Sequence, residues 1–142
     1  MSCDFCRIVA GTAPASKVFA DDTAVVFLDI APMTPGHLLV VPRTHVESLA
    51  DLDPATGAQL WRIGQRMAAA LRRSEVRCEG VNFFLADGAA AFQEVPHLHL
   101  HVIPRFRGDG VKLGYKPGRP SRQDLDATAA DLRTAAERTA LP

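Results

Sequence analysis

Pro96-His97-Leu98-His99-Leu100-His101-Val102-Ile103-Pro104 holds three of the chain's five histidines at strict two-residue spacing, with an apolar residue between each pair. In an extended strand successive side chains point to opposite faces. The imidazoles therefore share one face, about 7 Å from one to the next, and Leu98, Leu100 and Val102 share the other. Proline cannot donate to a sheet ladder, so Pro96 and Pro104 suit the two ends. The stretch predicts a strand with an apolar anchor on one side and a histidine row on the other. A solvated His-rich surface strand is the rival reading. Adjacent protonated imidazoles repel, however, so such a row needs a metal ion or a hydrogen-bond network to hold its tautomers.

Working outward, a chain of 142 residues with 47% apolar content has the size and composition of one globular domain. Its 16 basic and 16 acidic residues cancel, which gives no electrostatic footprint for nucleic acid as a bulk partner. The apolar runs fall short of the roughly 18 residues a membrane span needs. Met1 to Cys6 carries neither a basic region nor an apolar core, so the expectation is no secretory leader and a cytoplasmic location. Three cysteines argue against a disulfide framework. Cys78 stands alone and reads as a structural thiol, buried or half-buried. Cys3 and Cys6 form a C-x-x-C pair. A redox pair of this kind wants a preceding strand and a long following helix, and neither is present, so zinc is favoured. Zinc takes four ligands, and histidines are the expected complement.

Residues 17–20, 24–30, 37–42 and 81–85 read as further strands, each bounded by turn residues. Asp53 and Pro54 start a helix as cap and first residue. It runs to about Arg73 with an apolar stripe through Leu60, Ile63, Met67 and Leu71, and Trp61 is read as packed on the sheet with it. Residues 86–92 form a small-residue loop, so the strands on either side are antiparallel neighbours. Past Pro104 the character changes: Arg105, Arg107, Lys112, Lys116, Arg119 and Arg122 stand against one acid, Asp109. That segment reads as extended surface, either a solvated tail or a contact for a substrate's phosphates or a partner subunit. Residues 124–138 form an Ala-rich helix. The expected fold is α+β: a five-stranded antiparallel sheet, one main helix packed on it, a short N-terminal segment and a C-terminal helix. Residues 1–105 make the domain, and 106–142 pack on it or extend from it.

Taken together, these motifs resemble the histidine triad (HIT) family. The H-x-H-x-H run matches its signature. Cys3-Asp4-Phe5-Cys6-Arg7-Ile8-Val9-Ala10-Gly11 is similar to the N-terminal C-x-F-C-x-I-x-x-G of bacterial members. Phe27-Leu28-Asp29-Ile30, Pro35-Gly36-His37-Leu38-Leu39-Val40-Val41-Pro42, His45 and Gln93 follow in family order. The resemblance covers about residues 3–105.

It implies a nucleotide hydrolase or transferase. The substrate is a purine nucleotide cut at its α-phosphate, either a dinucleoside polyphosphate or a nucleoside phosphoramidate. By resemblance His99 is the nucleophile and forms a nucleotidyl-histidine that water hydrolyses. A backbone carbonyl fixes its tautomer, His101 donates to the phosphate and leaving group, and His37 supports the triad. Asp29 binds the ribose hydroxyls, Phe27 and Ile30 flank the nucleoside, and Gln93 contacts phosphate. Cys3, Cys6, His45 and His97 hold a structural zinc, which makes the first triad histidine a ligand. Family members usually pair as homodimers. A nucleotide-binding module with vestigial activity is the alternative. Three positions depart from the family pattern: Ala86 replaces an Asn, Phe92 a Gly, and Glu94 a Ser or Thr. The last puts a carboxylate near an anionic phosphate and bears on the leaving-group preference.

Overall fold

The computed structural model describes residues 3–139, and the expectations for residues 1–2 and 140–142 lie outside that range. The chain divides between Val111 and Lys112 into two compact units. The first holds helix α1 (Asp4–Val9), strands β1 (Lys17–Ala20), β2 (Ala24–Leu28) and β3 (Leu38–Pro42), helix α2 (Pro54–Arg73), and strands β4 (Gly80–Leu85) and β5 (Leu100–Arg105). A 3-10 turn at Ala89–Ala91 lies in the β4–β5 loop. The strands form one five-stranded antiparallel sheet, as expected, in the order β1-β2-β3-β5-β4.

Alternation along the strands gives the sheet two apolar faces. Ala24, Val26, Leu38, Val40, Leu100 and Val102 face α2 and meet Leu60, Ile63, Met67 and Leu71. These four helix positions recur at the three-to-four spacing of one helical face. The Asp53 carboxylate caps the helix, accepting from the Thr56 N–H at 2.9 Å, with Pro54 following. At Gly64 an added Cβ would lie 3.0 Å from the Phe83 ring and 3.1 Å from Leu100, so this residue sets how closely α2 approaches the sheet. Trp61 departs from expectation. It is 55% exposed and meets Phe83 in a T-shaped contact, with ring centroids 4.9 Å apart, because it stands beside the buried stripe rather than on it.

On the opposite face Val25, Phe27, Leu39 and Val41 are covered by Phe5 of α1. The six-residue helix α1 begins directly after Cys3, which puts both thiols at one end of this cover. The histidines lie on the same face.

Two expectations about the triad stretch are corrected. The ladder begins at Leu100, so His97 and His99 precede the strand. The Leu98 N–H donates to Val46 O at 2.7 Å, which draws this part of the chain to the loop after β3. Pro104 lies inside β5, not at its end. Its carbonyl accepts from the buried Thr34 hydroxyl at 2.6 Å, beyond the last β3 pair, Leu38 with Val102. The N–H and C=O of one antiparallel residue point to the same side, so the missing N–H faces a place where no ladder partner is needed.

The first unit reaches past Arg105 because Arg105 grips Asp109 through Nε and Nη2, at 2.6 and 3.1 Å, closing a tight turn. Arg105 is thus committed within the fold rather than left as part of a basic tail. In the second unit residues 112–121 carry no regular structure and α3 (Arg122–Arg138) follows. A capping box starts α3: the Ser121 side chain accepts from Asp124 N–H at 3.1 Å, and the Asp124 carboxylate accepts from Ser121 N–H at 3.2 Å. Among the described residues no helix is long and apolar enough to cross a membrane.

Candidate active site and metal centre

All five histidines fall into two adjoining clusters. In the first, Cys3 Sγ and Cys6 Sγ each lie 3.5 Å from His97 Nδ1, and Cys6 Sγ lies 3.3 Å from His45 Nδ1. The four ligand atoms sit within 4.8 Å of one another. Zn–S and Zn–N bonds of about 2.3 and 2.0 Å at a tetrahedral angle put neighbouring S and N atoms about 3.5 Å apart, so the donor set fits zinc. The tautomers fit as well. His97 Nε2 faces Pro42 O at 2.8 Å, and His45 Nε2 faces Glu47 Oε1 at 3.4 Å. Carbonyl and carboxylate oxygens only accept, so each proton sits on Nε2 and each Nδ1 lone pair turns toward the thiols. Burial, then the neighbouring Cys3 thiol, push the Cys6 thiol above its ordinary value. Two unmetallated thiols therefore resist ionising together, and a divalent cation removes that conflict.

In the second cluster His37, His99 and His101 converge. His99 Nδ1 lies 2.7 Å from His97 O. The proton is therefore on Nδ1 and the Nε2 lone pair is free. His101 is oriented the opposite way. The Met33 N–H donates to His37 Nδ1 at 3.0 Å, which places His37's proton on Nε2. His37 Nε2 lies 2.8 Å from His101 Nδ1, so it donates there, and His101 carries its proton on Nε2. One face thus presents a lone pair and an N–H side by side, with the His99 and His101 ring centroids 4.6 Å apart.

Burial holds His37, His97 and His99 below the ordinary imidazole value. Burial and then the neighbouring His99 and His37 push His101 down to about 4. These rings are neutral near pH 7, as the tautomer chain requires. Asp29, His37 and His101 also bring three potential ligand atoms together. Here the proton on His37 Nε2 occupies the position a metal would need, so the group reads as a proton relay rather than a second metal centre.

The sequence-predicted residues divide as follows. Asp29 stands beside the relay, its Oδ2 3.6 Å from His37 Nε2 and its Oδ1 held by Ala31 N–H at 2.8 Å. Ile30 is fully exposed next to it. Phe27 is only 2% exposed and packs edge-on against Phe5, with centroids 5.4 Å apart, so it forms the floor under the site rather than an open wall. The Gln93 amide is engaged within the protein. Its Nε2 donates to Glu47 O at 2.8 Å and Val95 O at 3.3 Å, and its Oε1 accepts from Gly88 N–H at 2.8 Å. In this arrangement it braces the loop. Phe92 adopts φ +66, the left-handed conformation that glycine usually supplies.

Sequence reasoning quoted Phe5 within the cysteine motif but assigned no role to it, nor to Met33 or Thr34. Phe5 touches His99 edge-on, with centroids 5.0 Å apart, and its place between the two cysteines was the available signal. Met33 acts through its backbone and Thr34 through a tertiary contact, so neither left a local pattern.

The HIT domain model matches residues 10–108. An uncharacterised HIT-like protein of Mycobacterium tuberculosis is 43% identical over 137 residues, 95% of this chain and 93% of its own length. The crystal structure of a zinc-bound histidine triad family protein from Mycobacterium smegmatis is 44% identical, with a TM-score of 0.77 over 95% of this chain and 98% of that one. A histidine triad nucleotide-binding protein from Candida albicans is 25% identical with a TM-score of 0.86, covering 96% of this chain and 99% of that one. An open antiparallel sheet presenting this histidine arrangement defines a HIT-type nucleotide-binding fold. The chain belongs to the HIT family.

Proposed function

We propose that the protein hydrolyses the α-phosphate bond of a purine nucleotide through a nucleotidyl-His99 intermediate. The observation that carries this reading is the pair of opposed tautomers, a lone pair on His99 Nε2 beside an N–H on His101 Nε2. The His99 lone pair attacks phosphorus, the bond to the leaving group breaks, and its electron pair departs with that group. His101 Nε2–H bonds to the phosphate oxygen or leaving atom. An anionic phosphate alongside raises the His101 pKa from its low resting value, so with substrate bound the ring can carry a proton as imidazolium and pass one from Nε2 to the leaving atom. The bond from His99 Nδ1–H to His97 O steadies the imidazolium that forms. Water then attacks phosphorus and gives up a proton to His101, and the electron pair of the P–N bond returns to His99 Nε2. Asp29 receives the ribose hydroxyls, with Ile30 against the base.

The cluster of Cys3, Cys6, His45 and His97 holds a structural zinc. Its part is to fix His97, whose carbonyl orients the nucleophile. A homodimer is carried over from the resemblance, and β4 is an outer strand of the sheet. Light scattering tests that pairing. A nucleoside phosphoramidate and a dinucleoside polyphosphate are the two substrate classes to compare. Turnover of either, lost in His99→Ala with nucleoside monophosphate binding retained, is the expected result. Equal inactivity of the wild type on both, with tight monophosphate binding, identifies a binding module instead.

A further inference from the structure

We propose that Thr34 is a positioning residue for the reaction: its buried hydroxyl holds the β2–β3 loop on β5 and so keeps His37 aimed to donate to His101. This deepens the hydrolase reading above and rests on it. The loop, residues 29–37, contains Pro32 and Pro35, which have no N–H. Its ends are tied together by the Asp29 N–H, which donates to His37 O at 2.9 Å. Two of its inner groups hold His37. The Met33 N–H donates to the ring at Nδ1, 3.0 Å away, and Thr34 O accepts from the His37 N–H at 3.2 Å. The Met33 side chain is 53% exposed, so packing of that residue does not fix the direction of its N–H. The next residue does. Thr34 is 3% exposed, and its hydroxyl donates to Pro104 O at 2.6 Å.

That hydroxyl stands where the β3–β5 ladder ends. Leu38 pairs with Val102, and the same register sets Gly36 opposite Pro104. Gly36 has φ +90, so the chain leaves the extended conformation there. The Thr34 side chain supplies Pro104 O with the donor that a continued strand would have given from its backbone. His101 sits on the same strand, three residues before Pro104. The relay is therefore clamped to β5 at two points, by His37 Nε2 on His101 Nδ1 at 2.8 Å and by Thr34 on Pro104. Without the hydroxyl, a buried carbonyl has lost its donor, and the loop must shift to let water reach it. The Met33 N–H moves with the loop. His37 is then no longer held with its proton on Nε2, and His101 loses the donor that keeps its own proton on the substrate side.

Thr34→Val keeps the shape of the side chain and removes the hydroxyl, whereas Thr34→Ser keeps the hydroxyl. The full chain and both variants are to be compared in two ways near neutral pH. NMR of isotope-labelled histidine nitrogens, without substrate, reads the tautomer of each ring. Steady-state kinetics follow turnover of an adenosine phosphoramidate and a dinucleoside polyphosphate. The wild type is expected to carry the His37 and His101 protons on Nε2. In Thr34→Val both rings become mixtures of the two tautomers and kcat falls about tenfold with KM little changed, while Thr34→Ser restores both readouts. A folded Thr34→Val that keeps either the wild-type tautomers or the wild-type kcat overturns the assignment, since a merely structural contact would lower stability alone. Where Thr34→Val does not fold, a His37 proton on Nδ1 in the wild type, or lost tautomers in Thr34→Ser, overturns it. Wild-type inactivity on both substrates sinks the hydrolase reading, while the tautomers still decide whether Thr34 directs His37.

Discussion

Met33 contributes a single backbone N–H, and the direction of the whole proton chain depends on it. That N–H points His37 toward His101, and His101 toward the substrate. Replacing His37 with Ala removes the donor that fixes the His101 tautomer. We expect kcat to fall about 100-fold with KM little changed, measured by steady-state kinetics; an unchanged kcat would rule out the relay. The same rings make stability depend on pH. His37 and His101 titrate lower in the folded protein than the usual value of about 6.5, His101 at about 4. Between these values the unfolded chain binds more protons than the folded one. The contribution of these rings to stability is therefore full above about pH 6.5 and is lost as the pH drops toward 4. Denaturant titrations across pH 7 to 4 check this. The triad could be read from the sequence as three imidazoles on one side of the chain. Which nitrogen of each carries the proton could not, because Met33, Pro42 and His97 set that through their backbones.

At the scale of elements, the loop between β4 and β5 and the helix α2 each carry a local conflict. Phe92 holds φ +66 while 81% exposed, so it bears the steric cost of that conformation with little packing in return. Phe92→Gly should raise stability by about 1 kcal/mol in denaturant unfolding; a loss would mean the ring packs on something essential. Gly64→Ala should lower stability by about 1 kcal/mol although alanine is the better helix former, because the methyl meets Phe83 and Leu100 at 3.0 and 3.1 Å. A rise in melting temperature would show that the Phe83 ring yields freely. Helix α2 was legible almost to the residue, since its cap, proline and stripe are all local. The triad strand was legible in kind but not in extent. Its period of two was correct from Leu100 onward. The contacts that release His97 from the ladder and place Pro104 within it come from Val46 and Thr34, far away in the sequence.

Across the first unit, the cluster of Cys3, Cys6, His45 and His97 ties the N-terminal helix to His99. Cys3 and Cys6 flank the start of α1, Phe5 between them presses on His99, and His97 both faces the thiols and orients His99 through its carbonyl. Cys6→Ser should abolish stoichiometric zinc in elemental analysis, lower the melting temperature by several degrees and reduce kcat. Full stability without metal would contradict the structural role. The sheet and both clusters rest on motifs dispersed from Cys3 to Pro104, which is why so much of the arrangement was readable in the sequence, while the strand order, set by pairings between distant segments, was not.

The central claim is that His99 carries the nucleotidyl group. The most direct test is rapid quenching during turnover of an adenosine phosphoramidate at a pH that preserves phosphoramidate bonds, followed by peptide mass spectrometry. The account predicts an adenylyl mass addition on the peptide containing His99, formed at a rate no slower than turnover and absent from His99→Ala. Turnover with no adduct on any peptide, or an adduct on a different residue, would contradict it.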